Sequence, residues 1–245
     1  MNFLFKNKAE MESMLGICSL SAVPMRSIPS HESELVSELL YGETYRIVDD
    51  NGEWLKIRTF CDDYEGWIRK LQHNDFVAGL DEKRYVVTSP TTNFDGKILS
   101  MGSFVPHKTP DSILKCEPDA GLFVKAAESL LGVPYRWGGK TVFGIDCSGF
   151  VQVCARVAGL SLPRDASQQA SKGEIVYFLD DVKAGDVAFF KNAEGKIVHV
   201  GIMLSKSAII HSSGCVRIDA VDQTGIFNRE MKRHTHQLAV IKRMF

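Results

Sequence analysis

Residues 144–150 read Gly144-Ile145-Asp146-Cys147-Ser148-Gly149-Phe150 and follow a glycine-rich loop that contains Trp137-Gly138-Gly139. Beyond this stretch, apolar residues recur on one helical face: Phe150, Val151, Cys154, Val157 and Ala158. This period predicts a helix that begins at Cys147 and ends at Gly159. A thiol at a helix N-terminus faces unpaired N–H groups and about half a positive charge. We therefore expect a lowered thiol pKa and donors for an oxyanion at Cys147. By position alone, a small buried residue at a helix start is an equally good interpretation.

Two histidines could serve this thiol as base and orienting partner. His199 and His211 lie in two predicted strands joined by Leu204-Ser205-Lys206-Ser207. A loop of odd length centred on Ser205 would place them directly opposite each other, with Cβ atoms about 4.5–5.5 Å apart. Because a nucleophilic thiol needs a base, and the base an orienter, we predict these roles for Cys147, His199 and His211.

Two other interpretations of the histidines stay open. His199 and His211 could be polar residues on a solvated face, or they could join Cys147 in a Cys-His-His zinc site. The remaining histidines lie in polar surroundings and are predicted at the surface: His31, His73, His107, His234 and His236.

Composition limits the class of protein. The chain has 245 residues with a formal net charge of −1, so nucleic acid and anionic membranes are not expected partners. No apolar run approaches the roughly 18 residues of a membrane span. The apolar stretch 14–25 follows Glu10 and Glu12, which argues against a secretory signal and favours a first strand. The six cysteines form no C-x-x-C pair, so we expect reduced thiols in a cytoplasmic protein.

The chain divides into three predicted regions. Residues 15–75 hold short strands at 43–48, 54–58 and 66–69, with a turn at 49–52, as in a small barrel or sandwich. Residues 76–117 are either a degenerate second unit of this kind or a linker. Residues 118–245 carry a helical pattern at 122–131, the Cys147 helix, and strands at 186–190, 197–204 and 208–212, which predicts an α+β domain.

Six motifs occur in order through the third region: Tyr135-Arg136-Trp137-Gly138-Gly139, Gly144 to Phe150, Leu162-Pro163-Arg164-Asp165, Ala184-Gly185-Asp186-Val187-Ala188-Phe189-Phe190, His199-Val200-Gly201-Ile202 and Ile210-His211-Ser212. This order resembles the NlpC-type (p60-like) cell-wall peptidases, papain-like cysteine peptidases of bacteria. The first region resembles bacterial SH3-like domains. Together the two regions resemble the γ-D-glutamyl-L-diamino acid endopeptidases, of the dipeptidyl-peptidase VI type.

The resemblance implies an all-β SH3-like barrel region before a papain-like α+β catalytic domain. It makes Cys147 the nucleophile, His199 the general base and acid, and His211 the orienting residue, with no metal or cofactor. It also implies a substrate, a peptidoglycan-derived peptide cut at its γ-D-Glu–diamino acid bond during recycling of wall peptides. Alternatives from the sequence are a secreted hydrolase of intact peptidoglycan and a non-catalytic module that binds wall peptides.

The family's pocket for the substrate's N-terminal L-Ala amine maps onto Asp146, Ser148 and Tyr64. Tyr135 and Trp137 would line the same pocket. Asp146 presents a physical difficulty, since a carboxylate beside the thiol disfavours the thiolate. It either caps the helix or pairs with a cationic substrate group, and Tyr64 could equally be a packing residue.

Overall fold

The computed structural model of the chain describes residues 14–76, 84–114 and 117–245. The first region is a six-stranded antiparallel sheet in the order β1-β4-β5-β6-β2-β3. Its strands are β1 (Leu15–Ile17), β2 (Ala22–Arg26), β3 (Leu35–Leu40), β4 (Thr44–Asp50), β5 (Trp54–Thr59) and β6 (Glu65–Arg69). A 3-10 turn, Lys70–Gln72, follows.

The all-β prediction for this region is confirmed, and so are the strands predicted at 43–48, 54–58 and 66–69. The stretch 14–25 forms parts of two strands, because the chain turns at residues 18–21 instead of continuing as one strand. Residues 1–13, on which the prediction about a secretory signal partly depends, lie outside the described residues. Alternate side chains of the strands face one core: Cys18, Val23, Met25, Leu39, Tyr45, Leu55, Ile57 and Ile68.

Five short strands follow: β7 (Tyr85–Val87), β8 (Thr91–Phe94), β9 (Lys97–Ser100), β10 (Phe104–Val105) and β11 (Ser112–Leu114). They form a three-stranded sheet in the order β10-β7-β11 and a separate β8-β9 hairpin. A small core of Val87, Leu99 and Val105 supports them. Residues 77–83 and 115–116 of this segment lie outside the described residues, and its assignment as a second SH3-like unit stays a prediction.

The third region begins with helix α1 (Ala120–Ser129), whose first N–H groups are capped by Asp119. A β12 (Lys140–Thr141) and β13 (Gly144–Ile145) pair precedes helix α2 (Cys147–Val157), and α3 (Ala166–Gln169) follows. Both longer helices were predicted, although α1 starts and ends about two residues earlier than expected. The sheet strands are β14 (Glu174–Val176), β15 (Val187–Lys191), β16 (Ile197–Ser205), β17 (Ala208–Ser213), β18 (Cys215–Val221), β19 (Gly225–Asn228) and β20 (Arg233–Arg243), with a 3-10 turn at Leu179–Asp181.

These strands form an antiparallel sheet in the order β14-β20-β15-β16-β17-β18-β19, and β20 also pairs with β19. The long β20 therefore closes the sheet on itself. One set of alternating side chains fills the interior: Ala188, Phe190, Met203, Ile209, Val221, Ile226 and Ile241. The other set packs against α1 and α2 on the outside, including Val187, Phe189, Val200, Ile202 and Ile210. The α+β prediction for the third region is confirmed in part. Helices α1 and α2 pack against the sheet, but the chain as a whole is mostly sheet.

Buried ion pairs join the first and third regions. Glu43, 1% exposed, lies 3.0 Å from Lys140 Nζ and 2.5 Å from Arg156 Nη2. Glu38 pairs with Arg136 and accepts a hydrogen bond from the Lys140 backbone N–H at 2.7 Å. The first region is thus held rigidly against the loop that precedes α2. Within the described ranges, no helix is both long and apolar enough to cross a membrane.

Candidate active site

Cys147 is the first residue of α2, and the Asp146 carboxylate caps this helix by accepting the Gly149 N–H at 2.7 Å. The thiol is 7% exposed. Burial, and then the charge of Asp146, raise the pKa of Cys147 to about 12. The N–H groups of Val200 and Ser148 and the charge of Arg164 lower it, but by less. The expected lowered pKa is therefore wrong, because burial outweighs the effect of the helix N-terminus.

Arg164 resolves the difficulty posed by Asp146. Its buried guanidinium makes two hydrogen bonds to the Asp146 carboxylate, Nη1–Oδ1 at 3.0 Å and Nη2–Oδ2 at 2.5 Å. Asp146 also accepts the Gly138 N–H at 2.9 Å, and Arg164 also bonds the hydroxyls of Ser148 and Ser37. A cation already present in the protein thus neutralises Asp146. The expectation that the carboxylate waits for a substrate cation does not match this geometry, whereas its role as a helix cap does.

His199 and His211 form a hydrogen-bonded pair on β16 and β17, with Nε2 of His199 2.8 Å from Nδ1 of His211. The prediction that they lie directly opposite each other is wrong. The turn between the strands holds two residues, and the register shifts between Met203 and Ser205. His211 is instead opposite Gly201. A Cβ on Gly201 would lie 2.8 Å from the His211 Cβ, so the glycine leaves room for His211 beside His199.

Two further side chains surround the pair. His211 Nε2 lies 3.1 Å from Oδ2 of Asp219, a buried residue of β18. The ring of His236, on β20, stacks on His199 with centroids 4.1 Å apart. Burial first, and then the charges of His211 and His236, hold the pKa of His199 well below 6.5. The prediction of a surface position is wrong for His236, because closure of the sheet by β20 brings it over His199.

A cleft of about 290 Å³ opens beside the thiol. It contains every residue that the sequence predicted for substrate binding: Tyr64, Tyr135, Trp137, Asp146 and Ser148. The first region contributes Glu34 and Val36 as well as Tyr64. Glu34 accepts a hydrogen bond from Trp137 Nε1 at 2.6 Å. One wall of the cleft is therefore made by the SH3-like region.

Asp165 is a cleft residue to which the sequence analysis gave no role. It precedes α3, where an aspartate commonly caps the helix, but its side chain makes no capping bond to the described residues of α3. Its carboxylate instead lies near the Tyr64 hydroxyl, whose interaction lowers the pKa of Asp165. Burial is the first cause that raises the pKa of Asp165, and the charges of Asp146 and Asp62 add to it. The motif Leu162-Pro163-Arg164-Asp165 was the available signal for both Arg164 and Asp165.

The sequence also allowed a zinc site formed by Cys147, His199 and His211. Within residues 14–76, 84–114 and 117–245, no group of three or more His, Cys, Asp and Glu side chains is placed to hold a metal ion. The site combines a thiol at a helix N-terminus, a hydrogen-bonded imidazole pair and a cleft that reaches the thiol. These are the components that a cysteine hydrolase needs.

Comparisons with known proteins show which families the two regions resemble. The profile described as "NlpC/P60 family" matches residues 132–238, and the profile described as "Bacterial dipeptidyl-peptidase Sh3 domain" matches residues 25–72. Residues 132–238 are therefore similar to the NlpC/P60 family, and residues 25–72 to a bacterial dipeptidyl-peptidase SH3 domain. The resemblance inferred from the sequence motifs is confirmed.

Curated relatives cover most of both chains. The γ-D-glutamyl-L-lysine dipeptidyl-peptidase of Bacillus subtilis is 28% identical over 217 residues, which is 74% of this chain and 73% of the relative. The dipeptidyl-peptidase 6 of Lysinibacillus sphaericus is 27% identical over 230 residues, 76% of this chain and 82% of the relative. A crystal structure of an NlpC/P60 family protein from Bacillus cereus superposes with a TM-score of 0.80 at 18% identity, covering 94% of this chain and 99% of that one. This last similarity shows a common fold.

Proposed function

We propose that the protein is a cysteine peptidase that hydrolyses the γ-D-Glu–diamino acid bond of peptidoglycan-derived peptides with a free N-terminal L-Ala. The observation that carries the proposal is the cleft in which Cys147 lies beside Tyr64 and Asp165. The names of the curated relatives support the bond that is cut. The SH3-like region contributes Glu34, Val36 and Tyr64 to the cleft, and this additional wall supports a short substrate.

In the proposed reaction, Cys147 gives its proton to His199, and the thiolate attacks the γ-carbonyl carbon of D-Glu. Backbone N–H groups at the start of α2 stabilise the oxyanion. His199 returns the proton to the leaving amine as the amide C–N bond breaks, which leaves L-Ala-γ-D-Glu as a thioester on Cys147. His199 then takes a proton from water, and the resulting hydroxide attacks the thioester carbon. The C–S bond breaks and Cys147 recovers the proton.

The geometry favours Asp165 over Asp146 as the counterion of the L-Ala ammonium. Arg164 and two backbone N–H groups occupy both oxygens of Asp146. Asp165 carries a negative charge beside Tyr64 and Asp146, and burial makes that charge costly. An ammonium in the cleft would relieve this cost. In this proposal Tyr64 and Ser148 orient the amine, Asp165 pairs with its charge, and Tyr135 and Trp137 enclose the peptide.

Mass spectrometry of L-Ala-γ-D-Glu-L-Lys incubated with the protein tests the cleavage. Release of free lysine and the dipeptide is expected, and the Cys147→Ala variant should release neither. Acetylation of the L-Ala amine should lower kcat/KM by about ten- to a hundred-fold, the value of a lost charge-assisted hydrogen bond. Asp165→Asn should reduce this preference, whereas Asp180→Asn, an exposed carboxylate outside the cleft, should leave it unchanged.

Equal rates on the free and acetylated peptides would refute recognition of the amine and favour a hydrolase of intact peptidoglycan. Binding of the peptide without cleavage by the wild-type protein would favour the non-catalytic module. A cytoplasmic location is part of the proposal, since short free peptides are the substrate. Cell fractionation followed by immunodetection tests it, and recovery of the protein outside the cytoplasm would contradict it.

A further inference from the structure

A chain of hydrogen-bonding side chains continues from the histidine pair across the neighbouring strands β17 and β18. It begins with His199 and His211 and passes from His211 Nε2 to Asp219 Oδ2 at 3.1 Å. Beyond Asp219, Nη2 of Arg217 donates to Oδ1 at 3.1 Å. Arg217 Nε lies 2.9 Å from Oδ2, but it is not aligned to donate. The two rings and the carboxylate are at most 5% exposed, so water does not compete for these bonds.

The charge state of Asp219 sets the direction of these bonds. Burial raises the pKa of Asp219, but the hydrogen bonds from His211 and Arg217 outweigh it, and the net effect lowers the pKa. The carboxylate is therefore ionised at neutral pH and can only accept hydrogen bonds. His211 must then carry a hydrogen on Nε2.

The same reasoning extends to His199. With both rings neutral, Nδ1 of His211 is bare, so the 2.8 Å bond requires the hydrogen on Nε2 of His199. The Nδ1 atom of His199 is then the unprotonated nitrogen, and it is the atom that can accept a proton.

We propose that Asp219 is a positioning residue that fixes the tautomers of His211 and His199, so that His199 presents an unprotonated Nδ1 as the base of the reaction proposed above. Asp219 touches neither the thiol nor the cleft and acts only through His211. When His199 gains a proton at Nδ1, the Nε2–H···Nδ1 bond to His211 is already in place. The negative charge two side chains away stabilises the imidazolium that forms.

The tautomers can be observed without substrate by ¹⁵N NMR of histidine-labelled protein, because protonated and bare ring nitrogens differ widely in chemical shift. Above pH 7, we expect hydrogens on Nε2 of both His199 and His211. A hydrogen on Nδ1 of His211 in the wild-type protein would overturn the proposal. Because no peptide is needed, this result is independent of whether the proposed cleavage occurs.

Asp219→Asn should invert both tautomers. Arg217 offers only donors, so Nη2 of Arg217 will hold the amide oxygen and turn the amide NH₂ group towards His211. Nε2 of His211 must then accept a hydrogen bond from the amide, so the ring hydrogen of His211 moves to Nδ1. Nδ1 of His211 then donates to Nε2 of His199, and the hydrogen of His199 moves to Nδ1, the nitrogen that should act as the base. We expect kcat/KM to fall by about ten- to a hundred-fold, as for the supporting partners of other functional histidines.

A matched control separates this effect from a general loss of structure. Asp222→Asn alters another carboxylate paired with a histidine, 2.9 Å from His234, outside the chain of bonds. It should leave the NMR tautomers and the pH dependence of Cys147 alkylation by iodoacetamide unchanged. The charged and titratable groups around the histidine pair include Asp219, which bonds His211, Arg217, which pairs with Asp219, and His236, whose ring stacks on His199. The control alters none of them.

Two outcomes decide the role of Asp219. In Asp219→Asn, the rate of Cys147 alkylation should no longer follow the deprotonation of His199 as the pH is varied. An added Arg217→Met change should restore part of the activity, because it frees the introduced amide to rotate. Wild-type tautomers and a wild-type alkylation profile in folded Asp219→Asn would refute the positioning role. If the NMR expectations hold but no peptide is cleaved, the proposed function fails and the tautomer assignment stands.

Discussion

Glu43→Gln tests how firmly the SH3-like region is joined to the peptidase domain. The Glu43 carboxylate accepts hydrogen bonds from Lys140 and from the Leu40 N–H, and it pairs with Arg156. Glutamine keeps the size of the side chain but leaves two buried cations without their counterion. Breaking a buried ion pair in this way costs about 3–5 kcal/mol.

The pKa of Glu43 gives a second measure of the same quantity. Burial would raise it, but Lys140 and Arg156 lower it from 4.5 to about 2. A shift of about 2.5 units corresponds to roughly 3 kcal/mol of unfolding free energy. Because the folded pKa lies below the unfolded one, this contribution is present above about pH 4.5 and is lost as the pH falls towards 2. Glu43→Gln should therefore be less stable at pH 7 by about this amount and lose less stability over that acid range.

Urea unfolding followed by tryptophan fluorescence measures the change, since Trp54 and Trp67 report on the SH3-like region and Trp137 on the peptidase domain. Glu65→Gln is the matched control. Its carboxylate pairs with Lys56 at 2.8 Å but is 31% exposed, so its loss should cost under about 1 kcal/mol. Equal destabilisation by the two variants would refute the reasoning.

Three further predictions concern the site. Gly201→Ala should lower kcat/KM about ten-fold or more, because the new methyl group displaces the ring of His211; unchanged kinetics would contradict this. His236→Ala should expose His199 to water and raise its pKa towards 6.5, since burial is the main cause of the depression. The acid limb of the kcat/KM profile should then move to higher pH, and an unmoved limb would count against the stacked ring as the cause. Cys147→Ala should lose all turnover while its Tm stays close to that of the wild-type protein, and residual turnover at the wild-type rate would exclude Cys147 as nucleophile.

Local sequence pattern predicted the two longer helices and the strands β15, β16 and β17, and it singled out Cys147, His199 and His211 as candidate site residues. The 3.6-residue period after Cys147 predicted α2, because the helix buries one face against the sheet. The alternation around His199 predicted one face with Gly201 and Met203 and the opposite face with Val200 and Ile202. The structure agrees, because Met203 belongs to one hydrophobic cluster and Val200 and Ile202 to the other. Such patterns depend only on near neighbours in the chain, so one sequence is enough to interpret them.

The partners of these residues depended on tertiary structure. Asp219 meets His211 because β17 and β18 pair, and His236 reaches His199 because β20 closes the sheet. Arg164 neutralises Asp146 from a loop eighteen residues away, which a charge count along the chain does not reveal. The register of the β16–β17 hairpin was decided by its two-residue turn together with an irregularity near Leu204, and a shift of one residue moves a side chain from one cross-strand neighbour to another. The sequence by itself determined which residues carry reactive groups. The closed sheet decided which group orients, neutralises or shields each of them, because those contacts join strands far apart in the chain.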